Sequence, residues 1–354
     1  MPAKYRLSAT RLTVAGLAII AAAGAIIFFG NRMRNEVTLE RIGNTAAPGA
    51  PASDAITVMT WNLGYGGLGA ESDFTADGGK SLLPPSRAIV QKNVDGIASE
   101  LTSASADVVI LQEVARASLL TRGVDLVSAV GGALEGRDNV FSADLSTRFL
   151  PSSLSPRHGL LSSVAIAGAQ REIAPMPLEP QFLFGISRRL YHLHVVRIPF
   201  EGGEWTIIDL HLSAFDKGAN VRSRQLSAAF QFAQSEYEAG RHVVMGGDWN
   251  LEFARPRRPT TTAEKYLFWV HPFPEEMLPQ GWRIAIDATT PSVRTNERPY
   301  AKGENFTTVI DGFIVSPNVE TLSVSTRDLD FQYSDHQPVT ARFRALGDAG
   351  APGE

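Results

Sequence analysis

No cysteine occurs among the 354 residues. Disulfides and thiolate ligands are therefore excluded, and any metal held by this chain must sit among oxygen and imidazole donors. A strong charge imbalance is also missing. The 33 Lys and Arg residues stand against 37 Asp and Glu, a net charge of −4, so no global basic field exists to hold nucleic acid. No segment recurs at a fixed period, which argues against a repeat array. What is present fits a globular protein, with 44% hydrophobic and 20% charged residues. Setting aside the N-terminal segment leaves roughly 300 residues, enough for one large domain or two small ones.

Leu12 to Phe29 carries no charge, about the minimum length for a membrane-spanning helix. Lys4, Arg6 and Arg11 precede it, as in the basic region of a secretory signal. Small residues at Ala21-Ala22-Ala23-Gly24-Ala25 are followed at once by Ile26-Ile27-Phe28-Phe29, whereas a cleavable signal ends its apolar core before the small residues. An uncleaved anchor is therefore expected, with a cleaved signal peptide as the alternative. Arg32 and Arg34 just beyond the span weaken the positive-inside asymmetry. Residues 45–53, rich in Pro, Ala and Gly, read as a tether. The expected division is an anchor over 1–30, a flexible tether over 31–55, a folded domain over 56–345, expected outside the cytoplasm, and a disordered tail over 346–354.

Ile56–Asn62 is β-branched and apolar and reads as a buried strand. A long Gly- and Asp-rich loop follows. Ser86 is a candidate N-cap for a helix with Ile89, Val90, Val94, Ile97 and Leu101 at helical spacing. Asp107–Glu113 is the next buried strand. Further strands are expected at 160–167, 192–199, 205–212, 242–248, 309–316, 320–325 and 338–344, and a second helix at 220–239. Two amphipathic helices each need a sheet face, which points to two packed sheets with helices outside.

The candidate chemistry lies at strand ends. Glu113 closes an apolar strand, and Asp335 stands at the start of the last one. Carboxylate ligation suits Mg²⁺ or a similar hard cation. Asp248 and Asn250 follow Gly246-Gly247; two residues apart in a strand share a face, although an Asx turn would look the same. His336 follows Asp335, with Asp311 on the preceding motif strand, and a carboxylate-oriented histidine suits proton transfer. His211, in Ile208-Asp209-Leu210-His211, is a second imidazole at a strand end, where packed histidines are common.

Thr60-Trp61-Asn62, Leu111-Gln112-Glu113, Gly246-Gly247-Asp248-Trp249-Asn250, Ile310-Asp311-Gly312-Phe313 and Ser334-Asp335-His336-Gln337-Pro338-Val339, in this order, resemble the endonuclease/exonuclease/phosphatase superfamily, with the fold of pancreatic deoxyribonuclease. The resemblance runs from about Ile56 to Phe343. It implies an α/β fold, a four-layer α/β/β/α sandwich of two mixed sheets, and Mg²⁺- or Mn²⁺-dependent hydrolysis of a phosphate ester. By resemblance Glu113 and Asp335 bind metal, and Asn62 supports metal and phosphate. Asp248 orients the attacking water, Asn250 stabilises the transition state, Asp311 orients His336, and His211 contacts phosphate or the leaving group. The family pairs the first histidine with an upstream carboxylate; Glu135, Asp138, Asp144 and Glu172 are candidates. Arg157 and His158 are candidates to face substrate, and Arg255, Arg257, Arg258, Arg294 and Arg298 candidates to clamp a phosphate.

The substrate stays open among a phospholipid headgroup, a small phosphodiester and nucleic acid. A DNA or RNA endonuclease, and an inactive binding module on the same fold, are the competing readings. Nothing in the sequence indicates an obligate protein partner. The full-length chain is expected in the membrane fraction, and a chain lacking residues 1–52 in the soluble fraction. Recovery of unprocessed full-length protein as a soluble species would overturn the anchor.

Overall fold

Alternate residues of the long strands carry different chemistry, and that alternation builds the architecture. The computed structural model describes residues 9–32, 36–42, 53–147, 158–164, 172–183, 187–214, 218 and 220–347. In chain order come α1 (Ala9–Arg32), β1 (Leu39–Ile42), β2 (Ala55–Asn62), α2 (Arg87–Ser103), β3 (Val108–Ala115), α3 (Leu126–Ala133) and β4 (Asp138–Leu145). They are followed by β5 (His158–Val164), β6 (Glu172–Pro177), β7 (Gln181–Leu183), β8 (Ser187–Arg189), β9 (His192–Phe200), β10 (Gly203–His211) and α4 (Asn220–Glu238). The last group is β11 (His242–Asp248), β12 (Arg283–Ala285), β13 (Val293–Arg294), β14 (Thr307–Thr308), β15 (Asp311–Val315), β16 (Val319–Thr326) and β17 (Val339–Ala345).

Two large sheets result, ordered β1-β4-β5-β3-β2-β17-β16 and β12-β15-β11-β10-β9-β6, beside the two-stranded pairs β7-β8 and β13-β14. Within each, one adjacent pair is parallel: β2 with β3, and β10 with β11. A parallel pair needs a long crossover connection, and α2 and α4 are those crossovers. Ser86 caps α2 by accepting from the Ile89 N–H at 3.2 Å. One core joins the two sheets face to face through Ile56, Val58, Val108, Ile110, Val196, Ile207, Val244, Phe313 and Phe343. A second packs Met59, Trp61, Val109 and Leu111 under α2 and α3. A third packs Ile208, Leu210, Val243, Met245 and Ile314 under α4. The order of layers is thus helix, sheet, sheet, helix, as expected from the sequence.

Several expectations shift. Leu39–Ile42, within the stretch expected as tether, pairs antiparallel with β4 at the sheet edge; residues 43–52 lie outside the described residues. Helix α3, capped by Asp125 onto Ser128 N at 2.9 Å, was not anticipated, because Gly131-Gly132 lowers its helix propensity. The described part of the expected 160–167 strand ends at Val164, and Arg157 lies outside the described residues. Thr13–Asn31 of α1 is long and apolar enough to cross a membrane, with mean hydropathy 2.2, a test that a signal sequence also passes. The helix is exposed along most of its described length and becomes buried at Asn31, and it lies against β8.

Glycine is required at one point of the central ladder. Gly247 has φ +143°, and a Cβ there would come 1.9 Å from the Leu210 carbonyl oxygen of the neighbouring strand. Gly247→Ala is therefore expected to cost at least about 2 kcal/mol of stability. A denaturation midpoint equal to wild type would show that β10 and β11 separate without penalty.

Candidate active site

The face shared by the two sheets changes character along its length. On β10 the inward residues are Trp205, Ile207, Asp209 and His211; on β11 they are Val244, Gly246 and Asp248; on β2 they are Ile56, Val58, Thr60 and Asn62. Apolar at one end, the seam becomes polar at the other. Register completes the arrangement, for His211 pairs with Asp248 and Asp248 with Asp311 across three adjacent strands. Asn62 meets this row from the opposite sheet, donating through Nδ2 to Asp248 Oδ2 at 2.9 Å.

Glu113 breaks the alternation. Regular pleating would turn it toward α2 and α3, but its backbone sits at φ +53°, where the pairing of β3 with β5 is irregular. A left-handed glutamate is strained by about 1–3 kcal/mol, and the strain redirects its side chain so that Oε1 lies 3.9 Å from His211 Nε2. Asn250 is left-handed too (φ +51°), as is Tyr65 (φ +44°) in the loop after β2. Asn250 donates its backbone N–H to Asp248 Oδ1 at 2.9 Å and its Nδ2 to Leu212 O at 2.9 Å.

His336 Nδ1 lies 2.9 and 3.1 Å from the two oxygens of Asp311. Its Nε2 faces Asp248 Oδ2 at 3.8 Å, and His211 Nε2 faces the same oxygen at 3.5 Å. Asp248 thus stands between two imidazoles. Trp61 Nε1 holds the His336 carbonyl at 2.9 Å, and Ser334 Oγ holds the Asn62 carbonyl at 2.8 Å, so the Asp-His pair is tied to the end of β2. Asp335 accepts from Asn296 Nδ2 at 2.6 Å. Gly64 approaches so closely that a Cβ there would stand 2.8 Å from Asp335 Oδ1.

Burial and neighbouring charge shift the proton affinities. It drives Asp248 up to about 6, an effect that the His336 charge partly offsets. Glu113 rises to about 7, first through burial and then through the negative charge of Asp335. Burial alone would lower His336, yet Asp311 and Asp248 more than reverse that and hold it well above 6.5. Tyr65 is kept protonated by burial and by the charges of Glu113, Asp335 and Asp77. Deeper in the seam, burial raises Asp209 and lowers His194. Those two face each other at 3.8 Å, with Gln112 and Ser162 hydrogen-bonded to Asp209.

All eight residues expected from the sequence are gathered at this end of the seam. Among the described residues, the metal-type donors that converge within 4.8 Å of one another belong to Asp248, Asp311 and His336. His336 and Asp311 are, however, already committed to each other. Glu113, whose proton affinity the neighbouring Asp335 charge helps to raise, and Asp335 itself are the better-suited pair for a hard cation, being oxygen donors not paired with an imidazole. Glu113 keeps 20% of its side chain exposed, the most open of the acidic and imidazole groups here, and so marks the mouth.

Sequence reasoning missed Arg189, Asn296, Tyr65 and Asp77. None lies in a recognisable pattern, and each arrives from a loop, a one-turn 3-10 helix or a very short strand. Among the considered upstream carboxylates whose side chains are described, Asp144 connects to His211 through Arg189 (Nε to Asp144 Oδ2, 2.7 Å; Nη2 to His211 Nδ1, 3.2 Å). The arginines considered as phosphate clamps are mostly engaged. Arg255 forms a bidentate pair with Glu252 at 2.7 Å, and Arg298 binds Glu304 at 3.3 Å. Arg294 is buried on the Leu68 and Gly69 carbonyls at 3.2 and 2.7 Å.

The endonuclease/exonuclease/phosphatase family matches residues 59–336, and the chain belongs to that family. Among solved structures it is similar to an endonuclease/exonuclease/phosphatase from Beutenbergia cavernae, at 17% identity over 82% of this chain and 72% of that one (TM-score 0.52). It is also similar to a family protein from Leptotrichia buccalis, at 11% identity over 82% and 99% of the two chains (TM-score 0.50). A third, D. rerio TDP2 complexed with a single-strand DNA product, shows 13% identity over 83% and 100% (TM-score 0.48). These likenesses are of fold. No curated protein matches the sequence.

Glu113 and Asp248 bind their protons more tightly in the folded chain than at their ordinary values of 4.5 and 3.8. Each therefore destabilises the fold most above its raised value, and the penalty is relieved as pH falls through it toward the ordinary one. His336, also raised, acts in the same direction. In chelator, Tm should be higher at about pH 5.5 than at about pH 7.5, and Glu113→Gln should raise the unfolding free energy at the higher pH by on the order of 1–3 kcal/mol. A Tm that falls on this acidification, with Glu113→Gln destabilising, would contradict the electrostatics described.

Proposed function

We propose that this chain is a divalent-metal-dependent phosphoesterase that hydrolyses a phosphodiester with an activated water. The observation that carries the reading is Asp248, buried between His211 and His336, with Asp311 behind His336. Hydrolysis needs a base for the water, a donor for the leaving oxygen and countercharge for the phosphoryl group. Asp248 supplies the base, its carboxylate oriented by Asn62 Nδ2 and the Asn250 N–H. His336, held as an imidazolium by Asp311 and Asp248, supplies the proton for the leaving oxygen. Asn250 spends one amide hydrogen on Leu212 and has a second for a phosphoryl oxygen. Glu113 and Asp335 would hold Mg²⁺ or Mn²⁺, with Asn62 at their edge. The cation, when bound, supplies Lewis-acid stabilisation of phosphoryl charge.

Within that class the reading extends to a substrate at a membrane surface. Helix α1 passes the length and hydropathy test for a span and lies against β8, the strand that brings Arg189 to His211. An anchored chain of this build keeps its reaction centre beside the bilayer, where phospholipid headgroups are the abundant phosphodiesters. The net charge of −4 offers little counterion-release affinity for duplex DNA.

The test is turnover with Mg²⁺ or Mn²⁺ on phospholipid vesicles, a small chromogenic phosphodiester and plasmid DNA at physiological salt. Activity is expected on the first two and is lost in EDTA. Asp248→Ala and His336→Ala should each lower the rate by on the order of a hundredfold or more, with circular dichroism unchanged. Undiminished turnover in excess chelator would sink the metal role. Efficient, salt-sensitive nicking of DNA with no turnover of the other two would reverse the substrate preference.

A further inference from the structure

The two imidazoles beside Asp248 are backed by groups of opposite charge. Behind His336 is the Asp311 carboxylate. Behind His211 is a guanidinium, with Arg189 Nη2 3.2 Å from His211 Nδ1. A guanidinium has only donors and keeps its proton in proteins. Nδ1 must therefore accept, which leaves the ring hydrogen on Nε2. That nitrogen points into the site, 3.5 Å from Asp248 Oδ2 and 3.9 Å from Glu113 Oε1. A hydrogen on Nδ1 would set two N–H groups against each other.

Arg189 is well fixed for such a task. Its Nε donates to Asp144 Oδ2 at 2.7 Å, with the two side chains only 9% and 5% exposed. Its guanidinium carbon stands 4.6 Å from the centre of the Tyr191 ring. The Leu190 N–H binds the Asp144 carbonyl at 2.7 Å, so the end of β8 and β4 hold the pair in register. Asp144 is thus the upstream carboxylate, but it reaches the histidine through an intervening arginine.

We propose that Arg189 is a positioning residue that locks His211 as the neutral Nε2–H tautomer. His211 then meets the phosphoryl group as a fixed hydrogen-bond donor and takes no part in proton transfer, which is left to Asp248 and His336. The second statement rests on the phosphoesterase reading; the tautomer assignment does not.

A merely structural Arg189 would tie β8 to β4 and leave the tautomer alone, so the test reads the tautomer directly. The full-length chain is labelled with ¹⁵N-histidine in detergent, and the His211 ring signals are identified by their loss in His211→Asn. The expected spectrum has an unprotonated, hydrogen-bonded Nδ1 and a protonated Nε2. In Arg189→Met the single tautomer should give way to a mixture or to the Nδ1–H form. With the chromogenic phosphodiester, kcat should fall about 10- to 100-fold with KM changed less than about threefold, as for loss of an oriented donor. Asp144→Asn should move both readouts the same way to a smaller extent, and it serves if Arg189→Met does not fold. A wild-type His211 carrying hydrogen on Nδ1 overturns the proposal, as does a folded Arg189→Met chain that keeps the wild-type signature. Absence of phosphoesterase activity would overturn the functional reading and leave the tautomer measurement to stand or fall alone.

Discussion

Everything at the active end of this molecule depends on two sheets meeting face to face. The stack is held by side chains that alternate inward along β2, β3, β10, β11, β15 and β17, and it buries Val, Ile, Phe and Trp through most of its length. Because strand side chains have a period of two, the same alternation that fills the core also delivers Asn62, His211, Asp248 and Asp311 to one end of it. The hydrogen bond from Asn62 to Asp248 crosses between the sheets there. A site formed this way is rigid at no separate cost, since a residue can leave its place only if its strand leaves the ladder.

The position also explains the electrostatics. Four carboxylates, from Glu113, Asp248, Asp311 and Asp335, gather where packing has already excluded water. Their like charges are not fully met by protein cations. His336 is engaged by Asp311, Arg189 by Asp144, and Arg294 turns its nitrogens to main-chain carbonyls. Burial chiefly, with these like charges adding to it, raises the proton affinity of Glu113 and Asp248. The left-handed backbones of Tyr65, Glu113 and Asn250 belong to the same pattern, because strain concentrates where side chains are forced out of the regular pleat.

The layers and most of the site were legible because strand periodicity and strand-end polarity are local properties. Trp205, Ile207, Asp209 and His211 display the core-to-site gradient in the sequence itself, and Asp335-His336 lies just before a strand of alternating apolar and polar residues. Glu113 was legible as a strand end, although the left-handed turn that aims it was not. Arg189 and Asn296 were illegible for a different reason. Ser187-Arg188-Arg189 is too short and too polar to show alternation, and Asn296 lies in a stretch without regular structure. What places each of them is a long-range contact: Arg189 with Asp144 is 45 residues apart, and Asn296 with Asp335 is 39. Helix α3 escaped because its glycines mask it, and β1 because its four residues offer only an edge.

The difference between the two histidines follows from what stands behind each ring. An imidazole shares one set of electrons between two nitrogens, so a partner at Nδ1 decides what Nε2 presents to the site. Asp311 behind His336 draws the proton to Nδ1 and stabilises the charged ring, making Nε2 the place from which a proton can depart. Arg189 behind His211 opposes charging of the ring and leaves Nε2–H as a neutral donor. Both nitrogens face the same oxygen of Asp248, at 3.8 and 3.5 Å. Had both rings been backed by carboxylates, two imidazolium ions would flank one aspartate and lower its proton affinity, weakening it as a base. With only one ring charged, burial still holds Asp248 at about 6 against the His336 charge, high enough to accept a proton and low enough to be ionised at neutral pH.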